Sequence, residues 1–470
     1  MPSRIIESLK VKSAAAKNFK KRTHQSKLAI AVAASSLLMT LSSTPVYAEN
    51  LLEVYGMSYE TDPVLKQARA ERQSVGEGEV QAFAAFLPQI DASADTFRID
   101  ENKSTYGSAA ASNLGDGSYN THGYSLDLNQ SIFDNANYVN YRISNINISK
   151  SDANLSATQQ DLIIRVADAY FTTLSAIDAV GFAKAEKKAI GRQLDQAKRR
   201  YEVGIIAITD VHEAQASFDN ANAQVIGAEN ELLIAKEALR ELTSQYIDVL
   251  SPLAGKIPLE PPAPAKIQRW VDQALIGNYS LLAAKEDTFA SKENINLQRS
   301  GHYPTLGLQA SYGYTKNNGP NEVRKSQFKD NVIGLVVSVP IYEGNSITSK
   351  TRQAQYDFQR SQDVYDEVRK STEKNTRSSY LNVISEVSRV KALKQAVISN
   401  ESALKATEAG MEVGTRTIVD VLNVQRDLYR AKQEHSNSRY IYILNTLRLK
   451  QASGELARVD IETVNKWLVR

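Results

Sequence analysis

Proline placement constrains this chain more than any other feature. After Pro88 no proline occurs until Pro252, and none follows Pro340 to the C-terminus. A proline inside a helix removes a backbone donor and clashes with the preceding turn. Uninterrupted stretches of this length, rich in Ala, Gln, Lys, Glu and Leu, are therefore what very long helices require. From about Asn135 to Tyr201, Leu162, Val166, Ala169 with Tyr170, Ile177 and Val180 recur at three-to-four spacing. Roughly 65 residues at 1.5 Å each predict a rod about 100 Å long. A compact globule of this size has no use for such a rod, whereas a coiled-coil array does.

The two stretches belong to two similar halves. Asp62-Pro-Val-Leu-Lys-Gln-Ala68 aligns with Asn278-Tyr-Ser-Leu-Leu-Ala-Ala284, and Phe86-Leu-Pro88 with His302-Tyr-Pro304. Ser131-Ile-Phe-Asp134 matches Pro340-Ile-Tyr-Glu343, and Tyr201-Glu-Val-Gly204 with Thr209-Asp-Val211 matches Met411-Glu-Val-Gly414 with Val419-Asp-Val421. The offset stays near about 210 residues, far above solenoid periods, so this is one duplication and not an array. The expected organisation is a signal segment (1–48), a first repeat (49–250), a Pro-rich linker (251–266) and a second repeat (267–470). Each repeat is expected to hold a helix (about 62–86, then 278–301), a β-hairpin (about 88–133, then 304–342) and a long helix pair. The pairs turn at Gly204 and Gly414, with new helices starting near Thr209-Asp210 and Thr417–Asp420, where Thr and Asp suit a helix N-terminus.

The hairpin strands alternate. Leu306, Leu308, Ala310, Tyr312 and Tyr314 lie opposite Thr305, Gly307, Gln309, Ser311 and Gly313, and Gln89–Thr96 alternates likewise. The returns are expected at Tyr124–Phe133 and Val332–Tyr342, across Gly/Asn/Ser-rich tips. Segments of about ten residues with one apolar and one polar face carry the signature of outer-membrane strands, and Tyr312 and Tyr314 sit where an interfacial girdle belongs. Four strands cannot close a barrel, and an open sheet edge is not tolerated in lipid. Strands must come from other copies: eight from two chains, twelve from three, sixteen from four. Physics alone does not choose.

Export is written at the N-terminus. Residues 1–27 carry eight Lys and Arg against one acid, followed by an uncharged apolar run to Leu41 and by Val46-Tyr47-Ala48, with small residues at the −3 and −1 positions. This is a bacterial secretory signal cleaved after Ala48, its apolar run too short for a bilayer span of about 20 residues. Without it the formal charge of +3 becomes −4 (48 basic against 52 acidic residues), so no basic tract remains for nucleic acid. The chain has no cysteine, which excludes disulfides and thiolate chemistry. It also lacks a Walker-type loop, Gly-x-Ser-x-Gly and His-Glu-x-x-His, and its histidines (His24, His122, His212, His302, His435) are scattered. No enzyme, cofactor or metal site is expected. A periplasmic adaptor, with one long hairpin and compact β domains, fits the duplication poorly, and a diffusion porin lacks the long helices.

At this point a family resemblance enters. Gly414-Thr-Arg-Thr-Ile-Val-Asp-Val-Leu422, Leu428-Tyr-Arg-Ala-Lys-Gln-Glu434 and Ser438-Arg-Tyr440 resemble the TolC family of outer-membrane efflux and type I secretion channels. So do Arg192-Gln-Leu-Asp-Gln196, Val203-Gly204, Ala207-Ile-Thr-Asp-Val211 and Leu306–Leu308 after Pro304, and the likeness spans the whole mature chain. The resemblance implies an α+β membrane protein: a homotrimeric 12-stranded β-barrel, four strands per chain, continued by a long α-helical coiled-coil tunnel. It also implies a periplasmic adaptor and an inner-membrane transporter of RND, ABC or MFS type as partners, with barrel and tunnel set in the outer membrane and the periplasm.

Site residues follow from the same resemblance. The family closes its periplasmic aperture with two aspartate rings; Asp420 matches the first, and Asn423 replaces the second. Three carboxylates in place of six should weaken cation selectivity, since the field scales with ring charge. Thr209, Asp210 and Arg416 match latch positions. Met411 stands where the family has tyrosine and Arg199 where it has glutamine. A thioether cannot donate a hydrogen bond to Asp210, so closure is expected to lean on Arg416. Gly204 and Gly414, at the tips of the helix pairs, match the adaptor-docking positions. An aspartate in a first helical turn also complements the helix dipole whatever else it does.

Overall fold

The computed structural model describes residues 48–101, 117–319 and 325–469. The expected signal segment and both hairpin tips lie outside the described residues, apart from Ala48. The first half runs α1 (Leu51–Thr61), α2 (Pro63–Ala84), β1 (Gln89–Glu101), β2 (Gly117–Phe133), α3 (Asn135–Glu202) and α4 (Ile208–Thr243). The second runs α5 (Ile267–Gly277), α6 (Tyr279–Ser300), β3 (Thr305–Asn318), β4 (Lys325–Ser338), α7 (Ser346–Glu412) and α8 (Ile418–Ser453), followed by α9 (Arg458–Asn465).

Helices α3 and α7 contain 68 and 67 residues. At 1.5 Å per residue each is about 100 Å long, as the proline-free stretches predict. Along their upper halves α2 and α6 pack beside them; along their lower halves α4 and α8 return antiparallel, and α3 also packs on α8, joining the two pairs. The largest core lies midway, where Leu162, Val166, Tyr170 and Phe171 of α3 meet Ile443 and Leu447 of α8, Val383 of α7 and Leu51 and Val54 of α1. No described helix is long and apolar enough to cross a membrane.

The sequence reading missed α1 and α5, each 11 residues long. They abut α2 and α6 at Asp62 and Asn278, whose side chains accept hydrogen bonds from the Leu65 and Leu281 amides at 2.7 and 3.1 Å. Each cap starts a new helix in the turn where the previous one ends, which hides the break from hydrophobic periodicity. The Pro-rich bridge is likewise no loose connector. Ser251 N donates to Glu49 O (3.0 Å), Ala254 N to Trp467 O (2.8 Å) and Val469 N to Pro252 O (2.8 Å), so Glu49 and the segment 467–469 flank it. Tyr170 then donates its hydroxyl to Ser251 O at 2.9 Å from inside the core.

The strands form one antiparallel sheet in the order β1-β2-β3-β4, with both edges unpaired among the described residues. Three are longer than the alternation alone suggests: β1 continues past Thr96, β2 starts before Tyr124 and β3 reaches Asn318. There the outward face turns polar, while Phe97, Ile99 and Tyr119 lie on the face of Asp95, so the period-2 signal of the apolar band fades while backbone pairing continues. Strand β4 runs Lys325–Ser338 rather than Val332–Tyr342, because Pro340 has no N–H to give a ladder. The register aligns Ala94, Tyr124, Tyr314 and Lys329 in one row across the sheet. Successive rows toward the helices are Ala92, Leu126, Tyr312 and Asn331, then Ile90, Leu128, Ala310 and Ile333, all on one face. That face is exposed in the single chain: Ile90 at 62%, Ile333 at 78% and Leu335 at 64%. The opposite face carries Asp91, Ser93, Asp95, Asp127, Ser311 and Asp330.

Candidate functional site

The tips of the two helix pairs lie at the far ends of α3 and α7. Each turn depends on a left-handed glycine, Gly204 at φ +76° and Gly414 at φ +79°. A side chain in that conformation costs about 1–2 kcal/mol. Gly204 N donates to Tyr201 O at 2.8 Å and Ile205 N to Arg200 O at 2.9 Å, satisfying carbonyls at the end of α3. The second tip repeats this with Gly414 N to Met411 O (3.3 Å) and Thr415 N to Gly410 O (2.9 Å). A small core pins the tips together: Ile190, Leu194 and Ala197 of α3, Ala214 and Ala221 of α4, and Leu422 of α8.

The two aspartates that the duplication equates are held differently. Thr417, the N-cap of α8, donates to the Asp420 carboxylate from its backbone N (2.9 Å) and its Oγ1 (3.0 Å). Asp420 N in turn donates to Thr417 Oγ1 at 3.2 Å, completing a capping box. These bonds, led by the Thr417 backbone N–H and assisted by Arg416, hold the Asp420 carboxyl below its usual range. In the first half the N-cap is Ala207, which has no hydroxyl, so Asp210 has no such clamp.

Asp210 instead borders a cavity of about 480 Å³ between the two tips, together with Ile206, Met411, Gly414 and Arg416. Asp210, Met411 and Arg416, three of the expected latch positions, thus line one cavity within one chain. Arg199 and Thr209 are not: both are exposed, and Arg199 Nε donates to Asp195 O of its own helix at 3.3 Å. Gln196 and Arg200 line the cavity in their place. Asn423 is exposed three residues beyond Asp420, on the same helical face.

Two further features escaped sequence reasoning. Gly410 lets the Arg416 side chain fold back onto α7: a Cβ there would stand 2.8 Å from Arg416 Cγ. Arg416 N also donates to Gly410 O at 3.2 Å. The matching residue of the first copy is Arg200, a difference visible once the halves are aligned. The carboxyl of Glu186, raised by burial against the pull of Arg426, lies on α3 above the tip core, where nothing in the local sequence marks it as enclosed.

Long helix pairs with glycine-turned tips, set end to end with an antiparallel sheet, narrow the comparison with known proteins. The sequence profile of outer membrane efflux proteins matches residues 54–245 and 270–455. The chain belongs to the outer membrane efflux protein family. The outer membrane protein TolC of Vibrio cholerae is 39% identical over 436 residues, covering 92% of this chain and 97% of that protein. The alkaline protease secretion protein AprF of Pseudomonas aeruginosa is 28% identical, covering 89% and 87%. Among solved structures, the outer membrane protein VceC of Vibrio cholerae superposes with a TM-score of 0.73 at 19% identity, covering 86% of this chain and 96% of that one. That likeness concerns the fold. Members of the outer membrane efflux protein family are transport channels of the outer membrane and do not form an enzyme family, so this chain's location is the outer membrane and its role is export.

Proposed function

We propose that three copies of the mature chain, cleaved after Ala48, close a 12-stranded barrel in the outer membrane and a helical tunnel beneath it. Small molecules, secreted proteins or both leave the cell through this duct. One structural fact carries most weight: among the described residues the sheet is unpaired at β1 and β4, yet one face carries an exposed, mostly apolar band between Tyr314 and the helices. In lipid such an arrangement persists only when the edges pair with other copies, and the family relationship supports three as their number. The two 100-Å-class helices then extend the duct about 100 Å from the membrane, enough to approach an inner-membrane transporter of RND, ABC or MFS type through a periplasmic adaptor.

At the periplasmic end Asp420 and Asn423 line the aperture. Asp210 and Arg416 form the latch beside a Met411 that cannot hydrogen-bond to Asp210, with Thr209 and Arg199 flanking it. Gly204 and Gly414 shape the tips on which the adaptor docks. Membrane fractionation, trimer detection in unheated gels and planar-bilayer recording test the core of this proposal. Heat-modifiable trimers in the outer-membrane fraction with single-channel conductance are expected; a soluble monomer without conductance overturns it.

A further inference from the structure

We propose that the outward face of the barrel carries a binding site for a phosphorylated glycolipid of the outer leaflet, centred on Lys316 and Lys329 above the Tyr124–Tyr312–Tyr314 cluster. The inference rests on the barrel reading, and its test separates the two.

The tyrosines mark the membrane boundary. Tyr124 stacks on Tyr314 with ring centroids 5.0 Å apart, and lies 6.2 Å from the ring of Tyr312. Below Tyr312 and its strand neighbour Asn331 the outward rows are mostly apolar down to Leu306 and Val337, Gln130 beside Leu308 being the polar exception. Above them chemistry changes within one row. Lys329 stands directly across from Tyr314, and the next row reads Thr96, His122, Lys316 and Gln327. Lys316 and Lys329 are thus diagonal neighbours on adjacent strands, about 7–8 Å apart at Cα, so that both ammonium groups can reach one phosphate. Lys316 is also directly opposite His122, whose Nδ1 lies 2.8 Å from Thr96 Oγ1.

Charge on this face is one-sided. Among the described residues its sole carboxylate above the tyrosines is Asp100, which sits 3.8 Å from Arg98. Asp91, Asp95, Asp127 and Asp330 all point to the opposite face by strand alternation. No ion pair between described residues engages Lys316 or Lys329. Two uncompensated ammonium groups at the headgroup level, immediately above apolar columns suited to acyl chains, complement an anionic lipid. The third row reads Arg98, Asn120, Asn318 and Lys325, and its two amides are of the kind that hydrogen-bond sugar hydroxyls. Free phosphate has no use for the apolar column, and an ordinary phospholipid has none for the amide row.

The test uses the assembled full-length mature protein in detergent. Its affinity for bisphosphorylated lipid A is compared with that for the same lipid stripped of both phosphates. For the Lys316→Gln, Lys329→Gln double variant, a rise of at least tenfold in Kd for the phosphorylated lipid is expected, with the dephosphorylated lipid unaffected. The double arginine variant should retain binding. Inorganic phosphate at the lipid's own concentration should not compete. Unchanged Kd in the glutamine variant, equal weakening for both lipids, or competition by inorganic phosphate overturns the site. Conductance and outer-membrane fractionation of the same variants report separately on the barrel: their loss in the wild-type chain rejects the barrel, whereas a conducting variant with unaltered lipid binding rejects this site alone.

Discussion

Thr417 clamps Asp420 through two hydrogen bonds, at 2.9 Å from its backbone N and 3.0 Å from its Oγ1, while the equivalent cap position before Asp210 is Ala207. The duplicated tips therefore differ in how freely an identical carboxylate can move. One aspartate is fixed as part of its helix terminus, and the other is available to the cavity between the tips.

That asymmetry can be reversed. Ala207→Thr should install the missing box and stabilise the start of α4 by about 1 kcal/mol, and Thr417→Ala should cost α8 a similar amount. Thermal dissociation of the assembled protein measures both. A further consequence for Ala207→Thr is that Asp210 turns from the cavity to its own N-cap, so channel open time should increase if Asp210 contributes to closure. Unaltered gating alongside raised stability would show that it does not.

Arg416 is positioned by Gly410, whose missing side chain leaves room for the Arg416 stem. Arg416→Ser should raise single-channel conductance by releasing the latch. Gly410→Ala should do so partially, because a Cβ 2.8 Å from Arg416 Cγ displaces the arginine without deleting its charge. Met411→Tyr supplies the hydroxyl that the thioether lacks, in a cavity of about 480 Å³, and should lower conductance. Equal conductance in all three variants would remove Arg416 from the latch.

If Asp420 and Asn423 line the aperture as proposed, the asparagine leaves one carboxylate per chain at these two positions. Asn423→Asp adds a second on the same helical face and should strengthen block by multivalent cations applied from the periplasmic side. Block is also expected to persist below the ordinary carboxylate range, since the Thr417 bonds keep Asp420 ionised at lower pH. Recording block by a trivalent cation in wild type and variant across pH 3–7 checks both statements.

Much of this architecture was legible in the chain. Proline absence and three-to-four spacing placed α3 to within a residue or two, and proline absence with the Gly414 turn indicated a counterpart ending where α7 does, because no other element tolerates so long an unbroken stretch. The strand faces were legible where Leu306–Tyr314 alternate, but not where Thr315–Asn318 carry polar groups on both sides and only the backbone ladder extends the strand. The latch showed a similar divide. Asp210, Met411 and Arg416 were singled out through the family resemblance and border one cavity, whereas Gly410, Gln196 and Arg200 depend on how two tips approach each other, which no local pattern encodes. Lys316 and Lys329 were equally hidden: they are about a dozen residues apart in sequence and become neighbours only through the β3–β4 register.

The buried pair below the barrel gives a final, pH-dependent test. Asp62 is 1% exposed and accepts two hydrogen bonds from Arg165, at 2.7 and 3.1 Å, besides the one from the Leu65 amide. Burial by itself raises the carboxyl, but the Arg165 guanidinium and the backbone donors outweigh it and hold the group below its ordinary value. A depressed folded value means that the ionised pair stabilises the protein fully above the unfolded carboxyl range, near pH 4, and that this contribution is lost as pH falls through the lower folded value. Asp62→Asn keeps an oxygen to cap α2, removes the charge and exchanges the acceptor facing Arg165 Nη1 for an amide donor. It should cost about 2 kcal/mol at neutral pH, less than a fully enclosed pair, because Arg165 is part-exposed and keeps Asp161 at 2.8 Å. Dissociation temperatures of wild type and variant should therefore converge as pH drops below about 4. A constant gap across the whole range would show that Asp62 acts as a cap alone and that its charge adds nothing.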